Sequence, residues 1–166
     1  MDRLLINKNS FVEDQLKKIF LDRKKSLTRT AYSILRNEED AHDVVQETYY
    51  EALKHNNDIR EPQYLTTWVY RILINKCNKI LKKGDLNVKL AENFLSSNSS
   101  IEQEVENKIY VEEILSRLSE GHRQIVVLKY IEGFSINEIS EIVGIPAGTV
   151  KSRLHYAVNK IRQFYQ

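Results

Sequence analysis

The side chains with the most chemistry to offer sit near the end of the chain. From Pro146 to Gln166 there is no acidic residue. Val150, Leu154, Ala157, Val158 and Ile161 mark one apolar stripe there, and Thr149, Lys151, Ser152, Arg153, His155, Tyr156 and Asn159 occupy the remaining faces, with Lys160 and Arg162 following. Cations neutralise phosphates, and Thr, Ser, Lys, Arg and His at the exposed start of a helix can reach base edges in a major groove. This is chemistry of duplex-DNA binding rather than of catalysis.

Such a helix must be held by a partner, and the residues just upstream supply one. Ser135 and Glu138 have capping-box spacing, in which each side chain satisfies a free amide at a helix start. Ile136, Ile139, Ile142 and Val143 give that helix a buried face. Gly144 stands where a tight turn needs positive φ, and Pro146 suits the first position of the next helix. A helix-turn-helix from Ser135 to about Ile161 is expected, its second helix entering the groove.

A second set of charges lies in the first half. Asn37 opens a helix carrying Glu38, Glu39, Asp40, Asp43, Glu47 and Glu51 against only His42 and Lys54. Asp40, Asp43, Gln46 and Glu47 share one side, while Ala41, Val44, Val45, Thr48 and Ala52 face a core. The acids suit either a solvated face near a helix N-terminus or a docking surface for a basic protein, and charge pattern leaves both open. From about Pro62 to Lys83 the sign reverses. Arg71, Asn75, Asn78 and Lys82 form one stripe with Lys79 beside it, a surface suited to phosphate and base contact. Tyr64, Trp68 and Tyr70 add aromatic rings that could stack on unpaired bases, although the spacing of Trp68 with Ile72 favours a core anchor.

The bulk properties fit an all-α protein of two small helical domains joined by a flexible linker. The chain has 166 residues, 42% of them hydrophobic, with only five Gly and two Pro, which favours helix over sheet. The net charge of +2 decides nothing by itself. Residues 1–84 form the first module and 85–107, with the polar run Ser96 to Ser100, the linker; residues 108–166 form the helix-turn-helix domain. One cysteine, Cys77, and four scattered histidines exclude a disulfide framework or zinc-finger spacing, so no metal and no cofactor is expected. Without a signal peptide or a run of about 20 apolar residues, a soluble cytoplasmic protein with no membrane insertion is expected. No phosphate-cradling Gly-rich loop or arrangement of nucleophile and base points to an enzyme.

Three segments together resemble the extracytoplasmic-function sigma factors, the short two-domain members of the sigma-70 family: EEDAHDVVQETYYEAL (Glu38 to Leu53), YLTTWVYRILINKCNKILKK (Tyr64 to Lys83), and the stretch from Leu118 to Gln163. The resemblance covers nearly the whole chain. It implies that Asp40, Asp43, Gln46 and Glu47 dock on core RNA polymerase at the clamp helices of its beta-prime subunit, with the beta subunit a further partner of the chain. It implies that the basic helix, through Tyr64, Arg71, Asn75, Asn78, Lys79 and Lys82, captures the opened minus-10 promoter element with the loop from His55 to Glu61. Thr149, Lys151, Ser152, Arg153, His155 and Tyr156 would read the minus-35 element, and the linker would pass near the RNA exit path. An anti-sigma factor and a narrow stress or envelope regulon are further implications. His42, Ile74 and the pair Pro146–Ala147 depart from the family's common pattern. A dimeric regulator of the response-regulator output type, whose helix-turn-helix is similar, is the alternative; the separate basic helix argues against it.

Overall fold

The computed structural model describes residues 2–59, 61–88 and 104–164, with side chains at 10–59, 61–84 and 110–164. Every regular element among them is helical. The chain runs through α1 (Asp2–Leu35), α2 (Glu38–Lys54), α3 (Leu65–Val88), α4 (Glu104–Ser116), α5 (Glu120–Val126), α6 (Ile136–Val143) and α7 (Ala147–Gln163). Short 3₁₀ turns at Asn56–Asp58 and Pro62–Tyr64 join α2 to α3, and a π-helical turn over Val127–Ile131 follows α5.

In the first domain α1, α2 and α3 pack together. Arg36 ends α1 by adopting φ 58°, and its amide returns to the Tyr32 carbonyl at 2.8 Å. Asn37 then caps α2, its side-chain oxygen accepting from the Asp40 amide at 2.9 Å. All five residues expected on the inner face of α2, Ala41, Val44, Val45, Thr48 and Ala52, are buried. They meet Leu16, Leu27, Ala31 and Ile34 of α1 and Leu65, Val69, Leu73, Ile74 and Cys77 of α3 within one core. Full burial of one such aliphatic side chain contributes roughly 1.5–3 kcal/mol, so these apolar stripes rather than the surface charges hold the helices in place. Burial also explains Ile74: a residue with no exposed surface fits the core, not a basic contact face. Cys77 is buried as well, which pushes its thiol up to about 12.

The second domain gathers Leu115, Leu118, Ile125, Leu128, Ile139, Ile142, Val150, Leu154 and Ala157 around α5, α6 and α7. The expected capping box is formed: the Ser135 amide donates to Glu138 Oε2 at 2.8 Å, and the Glu138 amide to Ser135 Oγ at 3.2 Å. Gly144 turns the chain with φ 70°, and its amide closes on the Ser140 carbonyl at 2.9 Å.

α1 begins at Asp2. Two expected boundaries shift. Gly84 does not stop α3, because one glycine costs about 1 kcal/mol inside a helix and does not break it; α3 continues to Val88 and α4 starts at Glu104. Both edges of the expected linker are therefore helical, and its middle, including the Ser96 to Ser100 run, lies outside the described residues. Pro146 occupies the N-cap of α7 rather than its first turn. With φ −58° and ψ 145° its backbone is still extended, and its carbonyl accepts from the Val150 amide at 3.0 Å. Among the described residues no helix is long and apolar enough to cross a membrane.

Candidate nucleic-acid and protein interfaces

The α6–α7 pair holds its outward surface rigidly. Val150, Leu154 and Ala157 anchor α7, leaving Lys151, Ser152, His155 and Tyr156 exposed and Thr149 and Arg153 half-buried. The polar bonds of this face are short-range. Ser152 Oγ donates to the Thr149 carbonyl at 3.0 Å, and Asn159 Nδ2 lies 2.9 Å from His155 Nε2. The Tyr156 ring lies 4.9 Å from that of His122 on α5. Burial, then the nearby Arg153 and Lys160 charges, lower the His122 pKa, so at neutral pH this ring is a neutral support for Tyr156. Arg153 leans over the start of α5, where a β-carbon on Gly121 would lie 3.4 Å from its Nη1. Of the six residues assigned to this surface, Lys151, Ser152, His155 and Tyr156 are exposed.

The acidic and basic faces of the first domain adjoin each other along α2 and α3. Asp43, Gln46 and Glu47 are exposed on α2 and Asp40 is half-buried beside its cap. Lys76 of α3 reaches across to Glu51 at 2.9 Å and Glu47 at 3.5 Å, with only 15% of its side chain exposed. The Lys76 hydrogen bond holds the Glu51 carboxyl below its usual value. This bridge ties the two charged faces together and leaves Asp43 and Gln46 as the unencumbered part of the acidic one. On α3, Asn75, Asn78, Lys79 and Lys82 line one groove with Ile72 and Glu51. Tyr64 and Arg71 lie in a different cleft, with Thr67, Trp68 and Glu141 of α6. The expected stripe is thus divided between two places. Trp68 is half-buried against the core, as its spacing with Ile72 suggests. Tyr64 is 52% exposed, whereas Tyr70 is fully buried and cannot stack on a base in this conformation. In the loop from His55 to Glu61, residue 60 lies outside the described residues, and His55 Nδ1 is 3.2 Å from Asp58 Oδ2.

Sequence reasoning missed the junction between the domains. α6 packs on α3, and α1 meets both α5 and the π-helical turn. At its centre is Glu132, whose side chain is only 2% exposed. Oε1 accepts from Thr30 Oγ1 at 2.9 Å and Arg29 Nη2 at 3.3 Å; Oε2 accepts from Tyr70 OH at 2.7 Å and from Ser26 Oγ. Burial alone would raise this carboxyl, but the hydrogen bonds from Ser26, Tyr70, Thr30 and Arg29 prevail and hold it below its usual value. Burial pushes the Tyr70 hydroxyl up to about 12, so it remains a donor. Phe134 packs edge-on against the Tyr70 ring at 4.8 Å, and Gln124 Nε2 donates to Asn78 Oδ1 at 2.5 Å. Among the described residues no group of three His, Cys, Asp or Glu side chains could hold a metal ion.

Comparison with known proteins matches both halves. Residues 19–86 match the family model for sigma-70 region 2, and residues 108–161 that for sigma-70, region 4. The chain is 29% identical over 141 residues to the RNA polymerase sigma factor SigV of Bacillus subtilis (strain 168), spanning 85% of each chain. It is 32% identical over 133 residues to the ECF RNA polymerase sigma-E factor of Salmonella typhimurium, covering 71% of this chain and 70% of that one. Among solved structures, the sigma factor RpoE from Bartonella quintana, crystallised with the anti-sigma factor NepR, has the same fold. The TM-score is 0.76 at 23% identity, covering 89% of this chain and 94% of that one.

Proposed function

The chain belongs to the extracytoplasmic-function (ECF) sigma factors of the sigma-70 family, and from that premise we propose how its surfaces divide the work of promoter-specific initiation. Residues 1–84 form the polymerase-docking and minus-10 module, 85–107 the connection and 108–166 the minus-35 module. Asp40, Asp43, Gln46 and Glu47 dock on core polymerase at the beta-prime clamp, with further contact to the beta subunit. The observation that carries this reading is the exposed acid on α2 set directly against the basic groove of α3. One face repels nucleic acid and suits a basic protein; its neighbour attracts phosphate.

Tyr64, Arg71, Asn75, Asn78, Lys79 and Lys82 take the minus-10 strand. Strand separation needs no covalent chemistry, because stacking and phosphate contacts to unpaired bases offset the cost of opening the duplex. Thr149, Lys151, Ser152, Arg153, His155 and Tyr156 contact the minus-35 duplex from α7. The protein acts in the bacterial cytoplasm as a binding subunit rather than an enzyme, in a stress or envelope response. An anti-sigma factor that covers these faces is its regulatory partner, as NepR partners the RpoE relative.

Run-off transcription with core polymerase and a cognate promoter tests the whole reading, and a promoter-dependent start is the expected product. Within it, Asp43→Lys reverses a charge on the least encumbered part of the docking face. Affinity for core polymerase should fall about tenfold or more, while minus-35 duplex binding by the same chain stays unchanged. Unaltered polymerase affinity removes Asp43 from the docking surface.

A further inference from the structure

The exposed face of α7 carries two side chains that can each either donate or accept a hydrogen bond, and at both the helix itself has made the choice. Ser152 and His155 stand three residues apart, outward of the buried Leu154 and Ala157, which places them about 5–6 Å from each other on one side of the helix. Ser152 Oγ gives its hydrogen to the Thr149 carbonyl at 3.0 Å. A serine hydroxyl has one hydrogen, so it offers lone pairs to anything that approaches. At His155 the neighbour is Asn159, one turn on and half-buried, whose Nδ2 lies 2.9 Å from the ring Nε2. An amide nitrogen has only hydrogens to give, so Nε2 accepts, and in the neutral ring the proton then sits on Nδ1. That is the less favoured tautomer of an unconstrained imidazole, and here the partner selects it.

Whether a side chain gives or takes a hydrogen bond decides what it can meet in a major groove. Purine N7, guanine O6 and thymine O4 are acceptors, whereas adenine N6 and cytosine N4 are amines that donate. Two donors or two acceptors set against each other leave desolvated polar groups unpaired, which costs more than a matched pair contributes. We propose that Asn159 is a positioning residue for minus-35 recognition: it holds His155 as a donor through Nδ1–H while the Thr149 carbonyl holds Ser152 as an acceptor, so this face fits a base-edge acceptor with an exocyclic amine beside it. Exclusion of water as the helix enters the groove strengthens the bond between His155 and Asn159, and so keeps the choice fixed where it is used. That the partner is a base edge rests on the minus-35 reading of α7; the polarity of the two side chains does not.

The tautomer is read directly in the full chain from the nitrogen resonances of isotope-labelled histidine at about pH 8. His155 should carry its proton on Nδ1. Asn159→Ala should return it to the ordinary Nε2–H form, and Asn159→Asp, which replaces the donor by an acceptor, should fix it there, both with helicity by circular dichroism unchanged. A residue that served packing alone would leave the tautomer where it was. Binding is then measured on the minus-35 duplex of the cognate promoter and on analogues that each delete one major-groove acceptor, beginning with deazapurines that lack N7. One such deletion should cost the wild-type chain about fivefold in affinity, and the same deletion should cost His155→Ala and Asn159→Asp nothing further. An Nε2–H form in the wild-type chain, or a tautomer indifferent to both Asn159 variants, overturns the proposal. So does a duplex from which every acceptor can be removed with no greater loss in wild type than in His155→Ala. A chain that binds no minus-35 duplex, alone or with core polymerase, defeats the minus-35 reading of α7 and leaves the polarity of His155 to be judged from the nitrogen spectra.

Discussion

α3 and α7 both present polar, basic surfaces, but they do so in opposite circumstances. α7 stands on its own small domain with Lys151, Ser152 and His155 in solvent and its polar bonds kept within the helix. α3 runs through the middle of the first domain, buries Tyr70, Leu73 and Ile74, and has α6 packed against it. α7 leaves its polar face to solvent, whereas α3 shares part of its outer face with α6 and with Gln124 of the second domain. On the proposed function the two helices divide the promoter between them, and duplex contact by α7 should be separable from strand capture by α3.

The most damaging single change should strike the support beneath α7. Ile139 is fully buried in α6, and Ile139→Ala should cost about 2–5 kcal/mol in a denaturant melt, with duplex binding lost in parallel. Stability within about 1 kcal/mol of wild type would mean that α6 is not the support the packing implies. Next in size is the double change Lys79→Glu and Lys82→Glu. In the holoenzyme, promoter opening followed by permanganate reactivity should fall roughly ten- to hundredfold, while minus-35 duplex binding by the free chain stays within about twofold. An equal loss in both assays breaks the contrast between the helices, because it places the α3 face in contact with duplex from the start.

Arg153→Ala should reduce minus-35 duplex binding about tenfold. A flatter salt dependence assigns it to phosphate, and relaxed specificity at one base pair assigns it to a base edge. Unchanged binding across a salt series leaves its role as packing over α5. The smallest effect is one of pH. Glu132 is faced by the Arg29 cation and the Ser26 and Thr30 hydroxyls from α1, by the Tyr70 hydroxyl from α3, and at one remove by Arg23 beside Tyr70. Its carboxyl is held below the ordinary value of 4.5, so the folded chain gains from its ionisation above that value and loses the gain as pH falls through the lower folded-state one. The midpoint of a denaturant melt should therefore show no Glu132-dependent change from about pH 8 to 5.5, and the difference between wild type and Glu132→Gln should shrink only below about 4.5. A shrinking difference near pH 6 would point to a histidine instead.

The parts legible in the sequence were those governed by local rules. The Ser135–Glu138 capping box, the left-handed Gly144 turn, the Asn37 cap and the five inward positions of α2 each depend on residues a few places apart, and each is where the spacing places it. Pro146 was displaced by one position because an N-cap and a first turn differ only in ψ, which proline does not fix. The socket for Glu132 lay beyond reach for another reason. Its donors are 62 to 106 residues away, and an acid beside a glycine after an apolar run is indistinguishable from a solvated loop charge. Tyr70 was ambiguous for the same cause, since a hydroxyl on an aromatic ring suits both a base stack and a buried acceptor, and only the partner decides.

The burial of Cys77 bears on how this chain can be told to act. Its sole thiol lies inside the first domain, is pushed up to about 12, and so carries almost no nucleophilic thiolate at neutral pH. Peroxide or a disulfide reagent meets no exposed thiol on the folded domain. If an oxidant is among the cues that set this promoter selector in motion, thiol chemistry of perception belongs on another molecule, and the chain receives the news as a change in what is bound to it.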